Sequence, residues 1–151
     1  MKDSTGGVLI DVTALSFHVL PRMAQEFDFL FLDVTEIPKT VPGYTRINLM
    51  RFRHDRTGLE VNVVTPAAIH VPLEVAEEVA RTAIMSDGVR VASESGLVAV
   101  KLFRRSRQDE ADIVALVKTG KVDLSSFPLS CAVLSPFQEL VEVATTDPHP
   151  P

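Results

Sequence analysis

Hydrophobic side chains alternate with a period of two in the first half of the chain, and this pattern limits the fold more than any other feature. The segment VLIDVTAL at 8–15 places Val8, Ile10 and Val12 on one side of an extended chain. The segment FDFLFLDV at 27–34 alternates phenylalanines in the same way. Because successive side chains of a strand point to opposite faces, we predict strands at about 8–13 and 28–34.

A longer alternating segment follows a loop that contains Pro38, Pro42 and Gly43. The residues TRINLMRFRHDRTGLEVNVVTP contain two apolar-alternating runs separated by HDRTG, a group of turn-forming residues. This pattern predicts a β-hairpin with strands at about 45–53 and 59–64. We expect all four of these strands to lie in one sheet.

Helical spacing appears in one segment between the first two predicted strands and in most of the second half of the chain. We predict helices in VLPRMAQEF and in PLEVAEEVARTAIM. A third helix is expected after a cap at Ser93 or Ser95, and a fourth runs from Asp109 to a stop at Gly120. The last helix is predicted in SPFQELVEVATT, with Ser135 as cap and Pro136 in the first turn. The segment DGVRVAS at 87–93 predicts a turn and a short fifth strand. The resulting order βαβββαβααα predicts an α/β or α+β domain over 1–146, with a small, mostly antiparallel sheet flanked by helices. The residues at 147–151 are rich in proline and are expected to form a disordered tail.

The composition limits the classes of function. A formal net charge of −5 in 151 residues disfavours broad nucleic-acid affinity but leaves room for a local basic patch. The single cysteine, Cys131, excludes an internal disulfide framework, and we expect it to be a small buried residue in a cytoplasmic protein. The longest apolar runs are too short to span a bilayer, and the first residues do not resemble a secretory leader.

Charged residues concentrate in VAVKLFRRSRQDEADIVALVKTGKVDL, at 98–124. Lys101 lies inside an apolar run, where an ammonium group must either extend to water or meet a carboxylate. Asp109 and Asp112 are three residues apart and therefore share one face of a helix. We predict a structural ion pair in which Lys101 or Arg104 meets Asp109 or Asp112 across a corner between two helices.

This segment resembles a signature of the small bacterial nucleotidyltransferase-superfamily proteins, the group that includes AbiEii-type toxins. That signature has a leucine, then Lys-Leu, a basic residue, and Asp-x-x-Asp-Ile followed by an apolar pair. The matching positions here are Leu97, Lys101, Leu102, Arg104, Asp109, Asp112, Ile113 and Leu116. The resemblance covers about thirty residues. It implies the superfamily fold, a short mixed sheet flanked by helices.

The same resemblance implies a site in which three carboxylates hold magnesium, two from an Asp-x-Asp pair on one strand and one from a neighbouring strand. The first strand offers Asp11, whose partner position is Leu9 or Thr13. The position of the third carboxylate is occupied here by Asn62, and Glu60 is the nearest carboxylate on that face. Asp11 and Glu60 are therefore the candidate catalytic and magnesium-binding residues. Since only one carboxylate is aligned where the superfamily has three, we expect catalysis to be lost.

Three functions remain open from the sequence. The first is a domain that has lost catalysis and binds either a protein partner, as in a toxin–antitoxin or defence pair, or a nucleotide through Lys101, Arg104 and Arg107. The second is an active metal-dependent nucleotidyltransferase with a modified site that uses Asp11, Glu60 and Asp33.

The third function is that of a structural or oligomerising module. The last helix carries Leu134, Phe137, Leu140 and Val141, which could form a homodimer interface along the helix at 134–145. We therefore expect the partner to be a protein, a nucleotide or a second copy of the chain. We do not expect binding to a membrane.

Overall fold

The computed structural model describes residues 7–10, 26–86 and 88–146. Its strands are β1 Val8–Leu9, β2 Glu26–Leu30, β3 Tyr44–Asn48, β4 Arg51–His54, β5 Glu60–Val64, β6 Ile84–Ser86 and β7 Val89–Val91. Its helices are α1 Leu73–Arg81, α2 Glu94–Arg104, α3 Arg107–Val117 and α4 Cys131–Thr146, with a short 3₁₀ helix at Val34–Glu36. The predicted strand residues 11–13, most of the predicted helix at 19–27 and the predicted tail at 147–151 lie outside the described residues.

The described strands form one open, mixed sheet in the order β3-β4-β5-β2-β1-β7-β6. The pairs β1–β7 and β2–β5 are parallel, and the other four neighbouring pairs are antiparallel. The prediction of a mixed α+β fold is confirmed, and all four predicted strand regions contribute to this sheet. The sheet is larger and more mixed than predicted, because two central pairings are parallel.

The predicted hairpin is present between β4 and β5, but its first strand is shorter than predicted. Residues 45–53 do not form one continuous strand, because the chain turns at Leu49 and Met50 between β3 and β4. The side chain of Asn48 accepts a hydrogen bond of 2.9 Å from the Met50 amide, an Asx turn that reverses the chain. Leu49 lies at the tip of this turn and is mostly exposed.

The second strand also ends earlier than predicted, at Leu30 rather than at 34. The side chain of Asp33 accepts a hydrogen bond of 2.9 Å from the Thr35 amide and caps the 3₁₀ helix. This local cap competes with continued strand pairing, as Asp side chains commonly do. At the other end, β2 begins at Glu26, so Glu26 and Phe27 belong to a strand and not to the predicted helix.

The predicted helix at 72–85 is correct in its first part only, since α1 ends at Arg81. The hydroxyl group of Thr82 donates a hydrogen bond of 2.8 Å to the Glu78 carbonyl and closes the last turn. Residues 84–86 then form β6, a strand that the apolar spacing does not predict. Gly88, with a φ of 78°, provides the turn into β7, and a residue with a side chain rarely adopts this conformation.

The helix α2 is central to the helical layer. Its residues from Gly96 to Leu102 are all buried, and it contacts each of the other three helices that the structure describes. Ser93 caps it, as predicted, by accepting a hydrogen bond from the Gly96 amide. Its buried apolar side chains belong to one core cluster that includes Phe29, Phe52 and Val61 from the sheet.

The last helix begins at Cys131, earlier than the predicted start at Ser135. The Ser130 carbonyl accepts hydrogen bonds from the Val133 and Leu134 amides, so the first turn forms before Pro136. Pro136 therefore lies inside the helix and not in its first turn. The prediction that Cys131 is buried is wrong, since it is exposed at the start of α4. Among the described helices, none is both long and apolar enough to cross a membrane.

Candidate functional site

Lys101 lies at the centre of a buried ion cluster, a name used here for Lys101, Asp109 and Asp112. Its Nζ is 2.9 Å from Oδ2 of Asp112 and 3.4 Å from Oδ1 of Asp109. Lys101 is only 9% exposed, and each aspartate is 5% exposed. The ion pair predicted across the helix corner is therefore present, with one lysine between two carboxylates from the next helix.

Asp109 also anchors the start of α3. Its Oδ2 accepts hydrogen bonds from the amide and the hydroxyl group of Ser106, while its own amide donates to the Ser106 hydroxyl oxygen. This reciprocal pattern is a capping box, so α3 begins after Ser106 and not at Asp109 as predicted. Burial acts to raise the pKa of Asp109, but the Ser106 hydrogen bonds and the charges of Lys101 and Arg104 outweigh it and lower that pKa.

The connection between α2 and α3 carries three exposed arginines, which we call the arginine corner: Arg104, Arg105 and Arg107. Arg105 adopts the left-handed conformation, with a φ of 53°, and ends α2 through a hydrogen bond from its amide to the Lys101 carbonyl. This conformation usually favours glycine or asparagine, so an arginine here is unusual. Within the described part of the chain, none of the three guanidinium groups forms a salt bridge.

The structure therefore separates the three residues predicted to bind a nucleotide. Lys101 is held between two aspartates and is nearly inaccessible to a ligand. Arg104 and Arg107 are exposed on the corner, and Arg105 lies with them. Arg105 was not among the predicted site residues. Its signal in the sequence was its position between the end of one helix and the Ser106 cap of the next.

The second group of polar residues lies on one face of the sheet. We call Asp28, Arg51, Arg53, Glu60 and Asn62 the sheet-face cluster. Asn62 is paired in register with Asp28 of β2 and with Arg51 of β4. Its amide nitrogen donates a hydrogen bond of 3.1 Å to Asp28, and its oxygen accepts one of 3.0 Å from Arg51 Nε. Paired residues of adjacent strands point to the same face, so these side chains form one hydrogen-bonded row.

The sheet order changes the expected neighbour of Asn62. The strand beside β5 is β2, and β1 is one strand further away. The aligned carboxylate next to Asn62 is consequently Asp28, which is not among the predicted site residues. Leu9, considered there as the position paired with Asp11, is buried opposite Phe29. Asp11 and Thr13 lie outside the described residues.

The described part of the sheet-face cluster does not fit a magnesium ion. Glu60 is 3.5 Å from both Arg51 and Arg53, so its charge is compensated by two cations. Asn62 is already engaged at both its oxygen and its nitrogen. Magnesium prefers several anionic or carbonyl oxygens directed at one point. Among the described residues, no three His, Cys, Asp or Glu side chains are grouped closely enough to hold a metal ion.

The side chains predicted to form a dimer interface on α4 do not share one environment. Phe137 and Leu140 pack against the core of the same chain. Leu134 and Val141 are partly exposed, and Val143 is more exposed still. A homodimer through the helix at 134–145 stays a prediction, and on this geometry Leu134 and Val141 are the side chains available for it.

Comparison with known proteins does not assign the chain to a family. No family model matches the sequence. The search of curated proteins also finds no match. The arginine corner, the buried ion cluster and the sheet-face cluster are therefore the features that bear on function.

Proposed function

We propose that the chain is a nucleotidyltransferase-like domain that has lost catalysis and binds a nucleotide through the phosphate groups. The observation that carries this proposal is the arginine corner, in which three exposed guanidinium groups lie within four residues of a chain with a formal net charge of −5. Guanidinium groups bind phosphate oxygens through paired, charge-assisted hydrogen bonds. Concentrated positive charge on an acidic protein therefore attracts anions to this part of the surface.

The buried ion cluster supports this role because it holds the corner in place. Lys101 belongs to α2, and both aspartates belong to α3, so their contacts join the two helices on either side of the arginines. The capping box at Ser106 orders the backbone between them. A corner that is ordered before binding loses less conformational entropy when a ligand binds. The amides at the start of α3 are partly occupied by this cap, so the guanidinium groups are the main ligands in the proposal.

The test of binding is isothermal titration calorimetry with ATP, GTP, CTP and UTP at low ionic strength. We expect weak binding of all four, because the phosphates are common to them. Alanine at Arg104 or Arg107 should reduce the affinity by about tenfold or more, since a hydrogen bond to a charged group contributes roughly 1.5–3 kcal/mol. Arg56, an exposed arginine in the turn between β4 and β5, provides the matched control Arg56→Ala.

The binding proposal is wrong if none of the nucleotides binds, or if Arg56→Ala weakens binding as much as Arg104→Ala does. An additional variant, Arg107→Lys, separates general charge from guanidinium geometry. It retains the charge but loses the planar pair of donors, so we expect it to bind more weakly than the parent protein. Equal affinity would assign the effect to net charge alone.

The loss of catalysis is tested separately. Labelled nucleoside triphosphates, magnesium or manganese, and protein and RNA acceptors are incubated with the parent chain and with Asp11→Ala and Asp28→Ala. We expect no transfer, because Glu60 and Asn62 are engaged by arginines and by Asp28. Transfer that is lost in either variant would support the alternative of an active enzyme with a modified carboxylate site. That outcome leaves the binding result at the arginine corner unaffected.

A further inference from the structure

A groove lies where two parallel neighbouring strands end. The segment after β2 contributes Leu32, Asp33 and Val34, and the segment after β5 contributes Thr65, Pro66 and Ala67. Val71 and Leu73 complete this surface, which we call the apolar groove, and its volume is about 380 Å³. The carboxyl ends of parallel strands are frequent binding positions in open sheets, because the chain segments diverge there and leave a crevice.

The apolar groove holds large hydrophobic side chains that the fold leaves exposed. Val34 is 61% exposed and Leu73 is 50% exposed, although both are large apolar residues. A single exposed apolar side chain is ordinary, but two that line the same concave surface indicate a contact site. A ligand that contacts them must therefore present apolar surface of its own.

A second groove adjoins the first and has a different character. It shares Leu32 with the apolar groove, has a volume of about 600 Å³, and we call it the acidic groove. Its charged lining consists of Glu36, Glu74, Glu77, Glu78, Arg81 and Arg90. Four carboxylates therefore face two guanidinium groups.

The two arginines of the acidic groove are already engaged. Arg81 forms an ion pair with Glu78, and Arg90 donates a hydrogen bond to the Ala80 carbonyl. The exposed carboxylates of Glu36, Glu74 and Glu77 form no salt bridge with another described residue. The acidic groove thus has an excess of negative charge, which repels phosphate groups and attracts cationic side chains.

We propose that the two grooves together dock a segment of a partner protein that carries aliphatic residues followed by lysine or arginine. The aliphatic side chains enter the apolar groove beside Val34 and Leu73, and the cations lie over Glu36, Glu74 and Glu77. Charge complementarity favours this occupant over a nucleotide, and the apolar end favours it over a simple cation. The docking surface is independent of the proposed nucleotide binding, which uses the arginine corner.

The probe for this surface is a short peptide with an uncharged fluorophore, two leucines and three lysines. One comparison peptide has glutamates in place of the lysines, and another has serines in place of the leucines. Fluorescence anisotropy with the full chain measures binding at low and at high salt. We expect only the first peptide to bind well, and we expect salt to weaken it because exposed charges are screened.

Two double variants assign the binding to the grooves. The double variant Glu74→Gln, Glu77→Gln should lower the affinity for the lysine peptide by about three- to tenfold, since each exposed ion pair contributes modestly. Val34→Ser with Leu73→Ser should weaken it by removing apolar contacts. The matched controls are Glu139→Gln with Glu142→Gln, and Val143→Ser, all at exposed positions of α4 outside both grooves.

The proposal is overturned if the glutamate peptide binds as well as the lysine peptide, or if the control variants lower the affinity as much as the groove variants do. It is also overturned if no peptide binds. Analytical sedimentation of the chain without peptide tests whether a second copy of the chain occupies the grooves instead. Self-association that the Glu74→Gln, Glu77→Gln variant abolishes would assign the grooves to a second copy of the chain.

Discussion

Replacing Lys101 with methionine should strongly destabilise the fold. The change removes the ammonium group that lies 2.9 Å from Asp112 and 3.4 Å from Asp109, while keeping a similar apolar stem. The two carboxylates, each 5% exposed, then remain buried without the cation between them. Removing one partner from a buried ion pair typically costs about 3–5 kcal/mol, because the remaining charge is uncompensated.

The expected loss is near that range and not above it, because each carboxylate keeps a hydrogen-bond donor. Asp109 still accepts from Ser106, and Asp112 still accepts a hydrogen bond of 2.8 Å from Gln108. For a domain of this size each kcal/mol lowers the melting temperature by roughly 2–4 °C, so the decrease should be about 6–20 °C. Asp112→Asn should cost less, since Lys101 then retains Asp109 as a partner.

The assay is urea unfolding followed by circular dichroism, repeated between pH 7 and pH 4. In the parent protein the pKa of Asp109 is lowered, so its contribution is present above its ordinary pKa and is lost as the pH falls through the folded value. In Lys101→Met, Asp109 lacks one of the charges that lower its pKa, so that pKa rises. Protonation then removes the uncompensated negative charge in the variant, so the difference in free energy of unfolding between variant and parent should shrink as the pH falls.

The exposed residue Lys121 provides the matched control, Lys121→Met, which should change stability by less than about 0.5 kcal/mol. If Lys101→Met unfolds at the same urea concentration as this control, the cluster contributes no stability and the reasoning from burial is refuted. A difference that stays constant with pH would instead show that the loss comes from packing and not from charge.

Two further perturbations test the charge arrangement elsewhere. Asn62→Asp replaces the amide that donates a hydrogen bond to Asp28 with a second carboxylate. We expect the free energy of unfolding to fall by about 1–3 kcal/mol at neutral pH, and magnesium to restore part of the melting temperature. An unchanged melting temperature that does not depend on magnesium would contradict this. Glu78 has its pKa lowered from 4.5 to about 2 by hydrogen bonds from Arg81 and Ser126, so its stabilising contribution is present above pH 4.5 and is lost as the pH falls toward 2. Acid titration of unfolding should therefore be flatter over that interval in Glu78→Gln, and parallel curves for variant and parent would show that this pair does not stabilise the fold.

Local signals in the sequence were sufficient where neighbouring residues decide the structure. The Ser93 cap and the shared face of Asp109 and Asp112 follow from spacing alone, and the structure contains both. The turn at HDRTG also depends on local residues. Such features involve residues a few positions apart, so they need no knowledge of the sheet order.

The errors arose where two local preferences compete or where distant strands decide. Asn48 lies in a segment of alternating apolar and polar residues, which predicts a strand. Its side chain instead accepts a hydrogen bond from the Met50 amide, and the chain turns there. Ile84 and Met85 continue the apolar spacing of α1, yet they pair with β7, which itself pairs with β1. Pairing of β7 with β1 brings together residues about eighty positions apart, and periodicity within one segment cannot reveal it.

The position of Asp28 shows the same limit at the candidate site. A strand reading places Asp28 between phenylalanines, where it looks like the polar side of an ordinary strand. Its meaning comes from β5, which pairs with β2 in parallel and aligns Asp28 with Asn62. The sequence resemblance could identify the third position at Asn62, but it could not identify its neighbour without the sheet order.

The two charged sites differ in how completely their charges are compensated, and this difference is the physical basis for assigning them different roles. On the sheet face, Glu60 lies within 3.5 Å of two arginines, and Asn62 joins Arg51 to Asp28. A cation that enters there must displace guanidinium groups. At the arginine corner, the single lysine of the buried ion cluster faces two aspartates, and the charge of Arg104 also acts on Asp109. Arg105 and Arg107 form no salt bridge with another described residue, so their positive charge faces solvent. The described charges therefore oppose metal binding at the first site, and they agree in sign with the phosphate binding that we propose at the second.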